Sequence, residues 1–253
     1  MYQQLEEKLK EQQALFPKHP EFRTWLSQSD LWNWIYSAFR IKGEPLSKTV
    51  VVDMLNGKIR EDIQLSSYAF AQATQNVYKD MKNYIQMQTT LEPEMIYRWA
   101  KMLMGIDLKE NDDLLLRENE PLVYEWELIT IDHNEIKEKL NQIVKEYNSS
   151  VKTGDVFACI AKLHLQLNRL YAFGENTALL SLAVLMFTLL EHDYFMPELP
   201  VDDREYNRIV AKYFDDDSLE DFYSMLCRSE FNRLEAIINL SREAKEITDW
   251  TKA

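Results

Sequence analysis

Glycine is scarce in this chain, 5 of 253 residues against a usual share of roughly 7%. Few glycines leave few left-handed turns and few tight hairpins, and they exclude the common Gly-rich phosphate loops. Cysteine is almost missing as well: Cys159 and Cys227 fall in apolar helical patterns. Two such thiols make neither a disulfide framework nor a CxxC metal site, and they read as inert core residues. Positive charge is in deficit, with 29 Lys and Arg against 42 Asp and Glu for a formal net charge of −13. An acidic surface repels nucleic-acid backbones and anionic membranes, so neither is expected as a partner. Long apolar runs are missing too. The longest, Ala178 to Leu190, is broken by Ser181 and Thr188 and is shorter than the roughly 20 residues that span a bilayer. The opening MYQQLEEKLKEQQ lacks the apolar core of a signal peptide, and a cytoplasmic protein is expected.

What is present is helical periodicity. Residues 2 to 15 carry a weak apolar stripe (Tyr2, Leu5, Leu9), with Pro17 and Pro20 expected to stop the helix. From Ser27 to Ile41, Leu31, Trp34, Ile35, Ala38 and Phe39 fall at i, i+3, i+4, i+7, i+8 spacing and give an aromatic helix face, ended by Gly43. Ser47 is placed to cap a short helix that Asn56-Gly57 closes. Further helices are expected over Glu61 to Met87, Glu92 to Met104 with Pro93 in its first turn, and Glu135 to Tyr147 entered from Asp132. Between the last two, Leu114 to Ile131 alternates Leu122, Tyr124, Trp126 and Leu128 against Glu125 and Glu127, the one β-hairpin pattern in the chain. A short helix over Asp203 to Phe214 and a last one, opened by Ser218-Leu-Glu-Asp221 and running to about Leu240, complete the series.

Val156 to Phe195 stands apart: two apolar helices joined by a break at Tyr171 to Asn176, where Gly, acid and amide interrupt a long buried run. The scattered histidines give no metal spacing, and His164 reads as a satisfied core residue.

The residues around that break resemble those of the Fic (Fido) domain family. The run Ala161-x-x-His164-x6-Tyr171-Ala172-Phe173 looks like the lead-in to its signature, His-Pro-Phe-x-Asp/Glu-Gly-Asn-Gly-Arg-x-x-Arg. Upstream, Tyr36 to Ser47 is similar to the family's inhibitory segment in Tyr36, Ile41, Gly43, Leu46 and Ser47. Downstream, Leu199 to Tyr206 and Asp216 to Phe222 resemble its Pro-rich turn and acidic link. The resemblance covers about residues 25 to 240. It implies a mostly α Fic-like domain over 1–253, with N-terminal helices and the inhibitory-like segment in 1–60, a core in 61–245, and the hairpin as a short target-positioning flap.

The departures matter as much. Where the family has its general-base His, this chain has Tyr171, a candidate catalytic position; a phenol with a reference pKa of about 10 is a poor base near neutral pH and reads as filling the imidazole's space. Glu175 matches the acidic position that holds a divalent metal, and reads otherwise as a helix N-terminal acid. The phosphate-cradling Gly-Asn-Gly becomes Asn176-Thr177-Ala178, leaving Asn176 and Thr177 as candidate nucleotide contacts, and the two arginines become Leu179 and Leu182. A one-residue deletion after Glu175 would keep Asn176 as the family's Asn, with Ala178 and Ser181 in the arginine positions. The inhibitory Glu is Lys42, read either as an exposed helix end or as a partner for Glu175.

Family chemistry transfers AMP from a nucleotide to a protein hydroxyl, using ATP and Mg²⁺. The losses point instead to a binding or regulatory module, with a transferase of altered chemistry, moving a nucleotide-linked group onto a protein hydroxyl, as the alternative. Tyr124 and Trp126 on the flap would meet a protein target by strand addition, or pack the hairpin onto the helices. The oligomeric state is left open.

Overall fold

The computed structural model describes residues 2–15, 20–44, 46–118, 132–200 and 204–250. Among them are ten α-helices and two 3₁₀ turns, with no strand. In chain order the helices are α1 (Tyr2–Leu15), α2 (Pro20–Ile41), α3 (Lys48–Leu55), α4 (Leu65–Gln86), α5 (Pro93–Met104), α6 (His133–Ser150), α7 (Val156–Leu170), α8 (Thr177–Glu191), α9 (Arg204–Asp216) and α10 (Glu220–Trp250). The 3₁₀ turns are Asp112–Leu115, before α6, and Gly174–Asn176, between α7 and α8.

α8 is the axis of the molecule. Its sequence, TALLSLAVLMFTLLE, is apolar on every face, and such a helix must be surrounded to be stable in water. It is surrounded: α7, α2, α5 and α4 all pack on it, and 13 of its 15 residues are buried. Trp99 of α5 meets Phe187 at 5.3 Å, and Phe39 of α2 crosses Phe70 of α4 edge-on at 5.0 Å. The hydroxyls that interrupt its apolar run cost little. Thr188 Oγ1 donates to its own helix at the carbonyls of Val184 (3.0 Å) and Leu185 (2.9 Å), so no polar atom is stranded. Gly174–Glu191 is also the one described helical stretch long and apolar enough to cross a membrane by composition, and its burial against the other helices accounts for that composition.

Caps fix the ends of the elements that frame the break. Ser47 accepts from Val50 N–H at the start of α3, Asp132 from Asn134 N–H at α6, and Asp155 from Ala158 N–H at α7. At the end of α2, Gly43 takes φ +77°, which lets Glu44 N–H return to Phe39 O and close the helix.

Several boundaries differ from the sequence expectation. Pro20 does not stop α1, which already ends at Leu15; it opens α2, because a residue without an N–H is suited to a first turn. α4 begins at Leu65 rather than Glu61: Arg60 pairs with Asp62 through two hydrogen bonds of 3.1 and 3.0 Å, and Ile63 N–H closes a turn on Arg60 O. The last helix starts at Glu220, with Tyr223 N–H on Leu219 O, and runs to Trp250 rather than Leu240. α1 packs along α10, where Lys8 lies 3.7 Å from Glu235 and Glu11 pairs with Arg242, so the chain beyond Leu240 still has a partner. In the hairpin pattern, Leu114 and Leu115 belong to a 3₁₀ turn, not a strand, while residues 119 to 131, with Tyr124 and Trp126, lie outside the described residues. That turn is anchored by Lys101, 6% exposed, whose ammonium donates to Glu110 O at 2.6 Å and pairs with Asp112 at 2.6 Å.

Candidate functional site

The break between α7 and α8 is built from three short pieces of backbone. α7 ends on Tyr171, which takes φ +50° and ψ +37° and sends its N–H back to Leu167 O and Asn168 O. A left-handed cap is normally glycine's place, since a Cβ costs roughly 1 kcal/mol there. Ala172 and Phe173 then turn inward. Phe173 meets Tyr97 of α5 edge-on at 5.9 Å, and Ala172 O accepts from Arg117 N–H at 2.9 Å, tying the break to the segment after the first 3₁₀ turn. His133 Nδ1 in turn donates to Arg117 O at 2.8 Å, so α6 braces the same point.

Gly174 to Asn176 forms the second 3₁₀ turn and leads straight into α8. Gly174 N–H donates to Tyr171 O (3.3 Å), Asn176 N–H to Phe173 O (3.2 Å), and Thr177 N–H to Gly174 O. Phe173 N–H donates to Thr177 Oγ1 at 3.1 Å. Four amides of the loop are thus hydrogen-bonded within the loop itself. Anion cradles need such amides free and convergent.

The residues singled out by sequence take distinct places. Glu175 is exposed at the tip. Tyr171 is half-buried beside it, and burial together with the Glu175 charge pushes its phenol above the ordinary value. The ring therefore stays protonated at neutral pH and accepts no proton from a substrate hydroxyl. Asn176 has helical φ and ψ and makes no side-chain cap. Thr177 is 2% exposed, and its hydroxyl serves Phe173 N–H. Leu179 (5% exposed) and Leu182 (0%) point into the core. Lys42 contacts neither Tyr171 nor Glu175. Its ammonium lies 4.2 Å from the centre of the Phe70 ring and 4.0 Å from Glu44, at the exposed end of α2.

Behind the loop is a buried polar network that the sequence showed only as a lone histidine. His164 Nδ1 donates to Ser181 O at 3.1 Å, so its Nε2 is the acceptor for Tyr206 Oη–H at 2.8 Å, and the ring stacks on Phe222 at 4.8 Å. Burial pulls this imidazole down to about 4, with the Ser181 carbonyl opposing more weakly. Asn168, one turn on, donates to His164 O (2.8 Å) and Ser181 Oγ (2.9 Å). The signal available in sequence was the pairing of His164 with Asn168 at i+4 and a serine in an otherwise apolar run.

ATP and Mg²⁺ do not fit this donor set. Four loop amides are committed, Leu179 and Leu182 present only buried apolar side chains, and among the described residues no group of three His, Cys, Asp or Glu side chains stands ready for a metal.

No protein-family model matches the chain, and no curated protein matches it in sequence. Solved structures do match. A Fic domain containing signaling protein from Bacteroides thetaiotaomicron superposes with a TM-score of 0.80 at 17% identity, over 96% of this chain and 98% of that one. Fic-1 from C. elegans gives a TM-score of 0.77 at 15% identity, over 94% of this chain and 70% of that one. A Fic family protein from Desulfovibrio desulfuricans gives 0.60 at 12%, over 98% and 74%. By its tertiary structure, then, this chain is a helical protein with the Fic fold.

Proposed function

We propose that the protein is a Fic-fold binding or regulatory module without AMP-transferase activity. The observation that carries this reading is the hydrogen-bonded 3₁₀ turn Gly174–Asn176: the amides of Phe173, Gly174, Asn176 and Thr177 are used inside the loop where a phosphate would need them. Tyr171, held protonated, and the buried Leu179 and Leu182 support it, since neither proton abstraction nor charge compensation is available from those positions. The target in this reading is another protein, met at the flap positions Tyr124 and Trp126 by strand addition. Thermal unfolding with millimolar ATP and Mg²⁺ tests the central claim. The expected result is an unchanged Tm. A ligand at 100 times its dissociation constant would add about 2.7 kcal/mol, and a stabilisation of that order would overturn the reading.

One observation favours a second reading, a transferase of altered chemistry. Glu175 is exposed at the tip of the loop, an acid placed where it could meet a donor or a metal. Incubation with labelled nucleotides and nucleotide sugars checks it. Label on the protein or on a host lysate, lost in Glu175→Ala, would support it; no label in either sample removes it.

A further inference from the structure

A cleft of about 600 Å³ opens between α1, α2 and the C-terminal end of α8, the opposite end from Tyr171. Its volume lies within the range of small-molecule sites, roughly 300–1,000 Å³. Its walls are polar in an unusual way. Asp30, 3% exposed, lines it. Asp30 Oδ1 accepts from Arg233 Nη2 (3.2 Å) and Met196 N–H (3.3 Å), while among the described residues no donor reaches Oδ2. Gln12, 2% exposed, lines the same cleft, and among the described residues its Nε2 has no hydrogen-bond partner. A buried amide donor without an acceptor is unfavourable, and so calls for something to fill it. Lys82 stands on the α4 side of the same cleft, close enough to act on the Asp30 charge.

Charge selects the class of ligand. A simple anion would face Asp30 and Asp193, and a simple cation would face Lys82 and Arg23. A small molecule with both charges answers both sides. We propose that this cleft binds a small zwitterion, an amino acid or close analogue, with its ammonium on Asp30 Oδ2 and its carboxylate on Lys82 Nζ and Gln12 Nε2. Leu26 and Leu190 supply the apolar wall for its carbon atoms. The site is separate from the Tyr171 loop, and its occupancy is independent of whether that loop transfers anything.

Calorimetry and thermal unfolding of the full chain test it, with glycine, L-alanine, L-glutamine and 4-aminobutyrate as probes and methylamine and acetate as single-charge controls. The expected result is saturable binding of at least one zwitterion below about 10 mM, weakened about tenfold or more in Lys82→Gln and in Asp30→Asn. Asp30 also holds Arg233, so Asp30→Asn is read only if it folds; Lys82→Gln, at the cleft wall, decides otherwise. The proposal is overturned if no zwitterion binds at that concentration, if methylamine or acetate binds as well as the zwitterions, or if Lys82→Gln binds with unchanged affinity.

Discussion

Single residues decide what the break between α7 and α8 can do. The left-handed backbone and raised phenol of Tyr171 give it the work of a cap and a filler. The leucines at 179 and 182 extend the core to the start of α8, where exposed cations would be needed to face a ligand. His164 shows the opposite case, a residue whose chemistry is spent on holding the fold. Its imidazole is neutral in the native state at about 4 and above, while the unfolded chain protonates it near 6.5. A depressed folded value means that the stability is fully present above about 6.5 and is lost as pH falls from there toward about 4. Buried Asp30, pushed up to about 6, acts in the other direction over part of that range, so a variant comparison is needed to isolate the imidazole. The stability difference between wild type and His164→Gln, from urea unfolding, is expected to shrink by about 2–3 kcal/mol between pH about 7.5 and about 4.5. A difference that stays constant with pH would show that His164 is protonated as easily in the fold as outside it.

At the scale of elements, the pieces that position the loop are caps and short turns. α7 is set by Asp155, whose Oδ1 accepts from Ala158 N–H at 3.0 Å while Oδ2 accepts from Tyr223 Oη–H at 2.7 Å, joining the α7 start to α10. Asp155→Ala is therefore expected to cost more than a lone cap, about 2 kcal/mol or above, because a half-buried tyrosine hydroxyl loses its acceptor as well. Asp155→Asn keeps an Oδ1 acceptor for Ala158 N–H and sets an Nδ2–H donor opposite Tyr223, whose hydroxyl can turn to accept from it, and is expected to cost about 1 kcal/mol, less than Asp155→Ala. Equal losses in the two variants, measured as shifts of the urea midpoint, would contradict this double role. The caps at Ser47 and Asp132 were legible in sequence because each is a local rule read over four residues. The start of α4 was not. Its apolar spacing continues back through Ile63, and the Arg60–Asp62 pair, the Tyr68 hydroxyl on Arg60 N–H and Ile63 N–H on Arg60 O hold residues 60 to 63 in a turn.

For the whole molecule, the first and last helices close the fold on each other. α1 is weakly amphipathic and polar, yet Leu5 is completely buried between it and α10, and Tyr2 reaches Phe157 of α7 at 6.3 Å. Leu5→Ala is expected to lower stability by about 2–5 kcal/mol, with Leu9→Ala, only partly buried, clearly milder; the ranking from chemical denaturation checks whether α1 is part of the cooperative unit. Sequence by itself determined the helical class, most helix positions and the place of the break, since periodicity and caps are local properties of the chain. Only the tertiary structure decided how the loop amides pair among themselves, what His164 bonds to, where Lys42 goes and which polar groups meet in the cleft beside Asp30. Apart from the loop amides, whose partners lie three or four residues away, those depend on atoms brought together across long stretches of chain, such as His164 with Ser181 and Asp30 with Met196 and Arg233. Hydrogen bonding and burial are settled by such neighbours, and no periodicity along the chain encodes them.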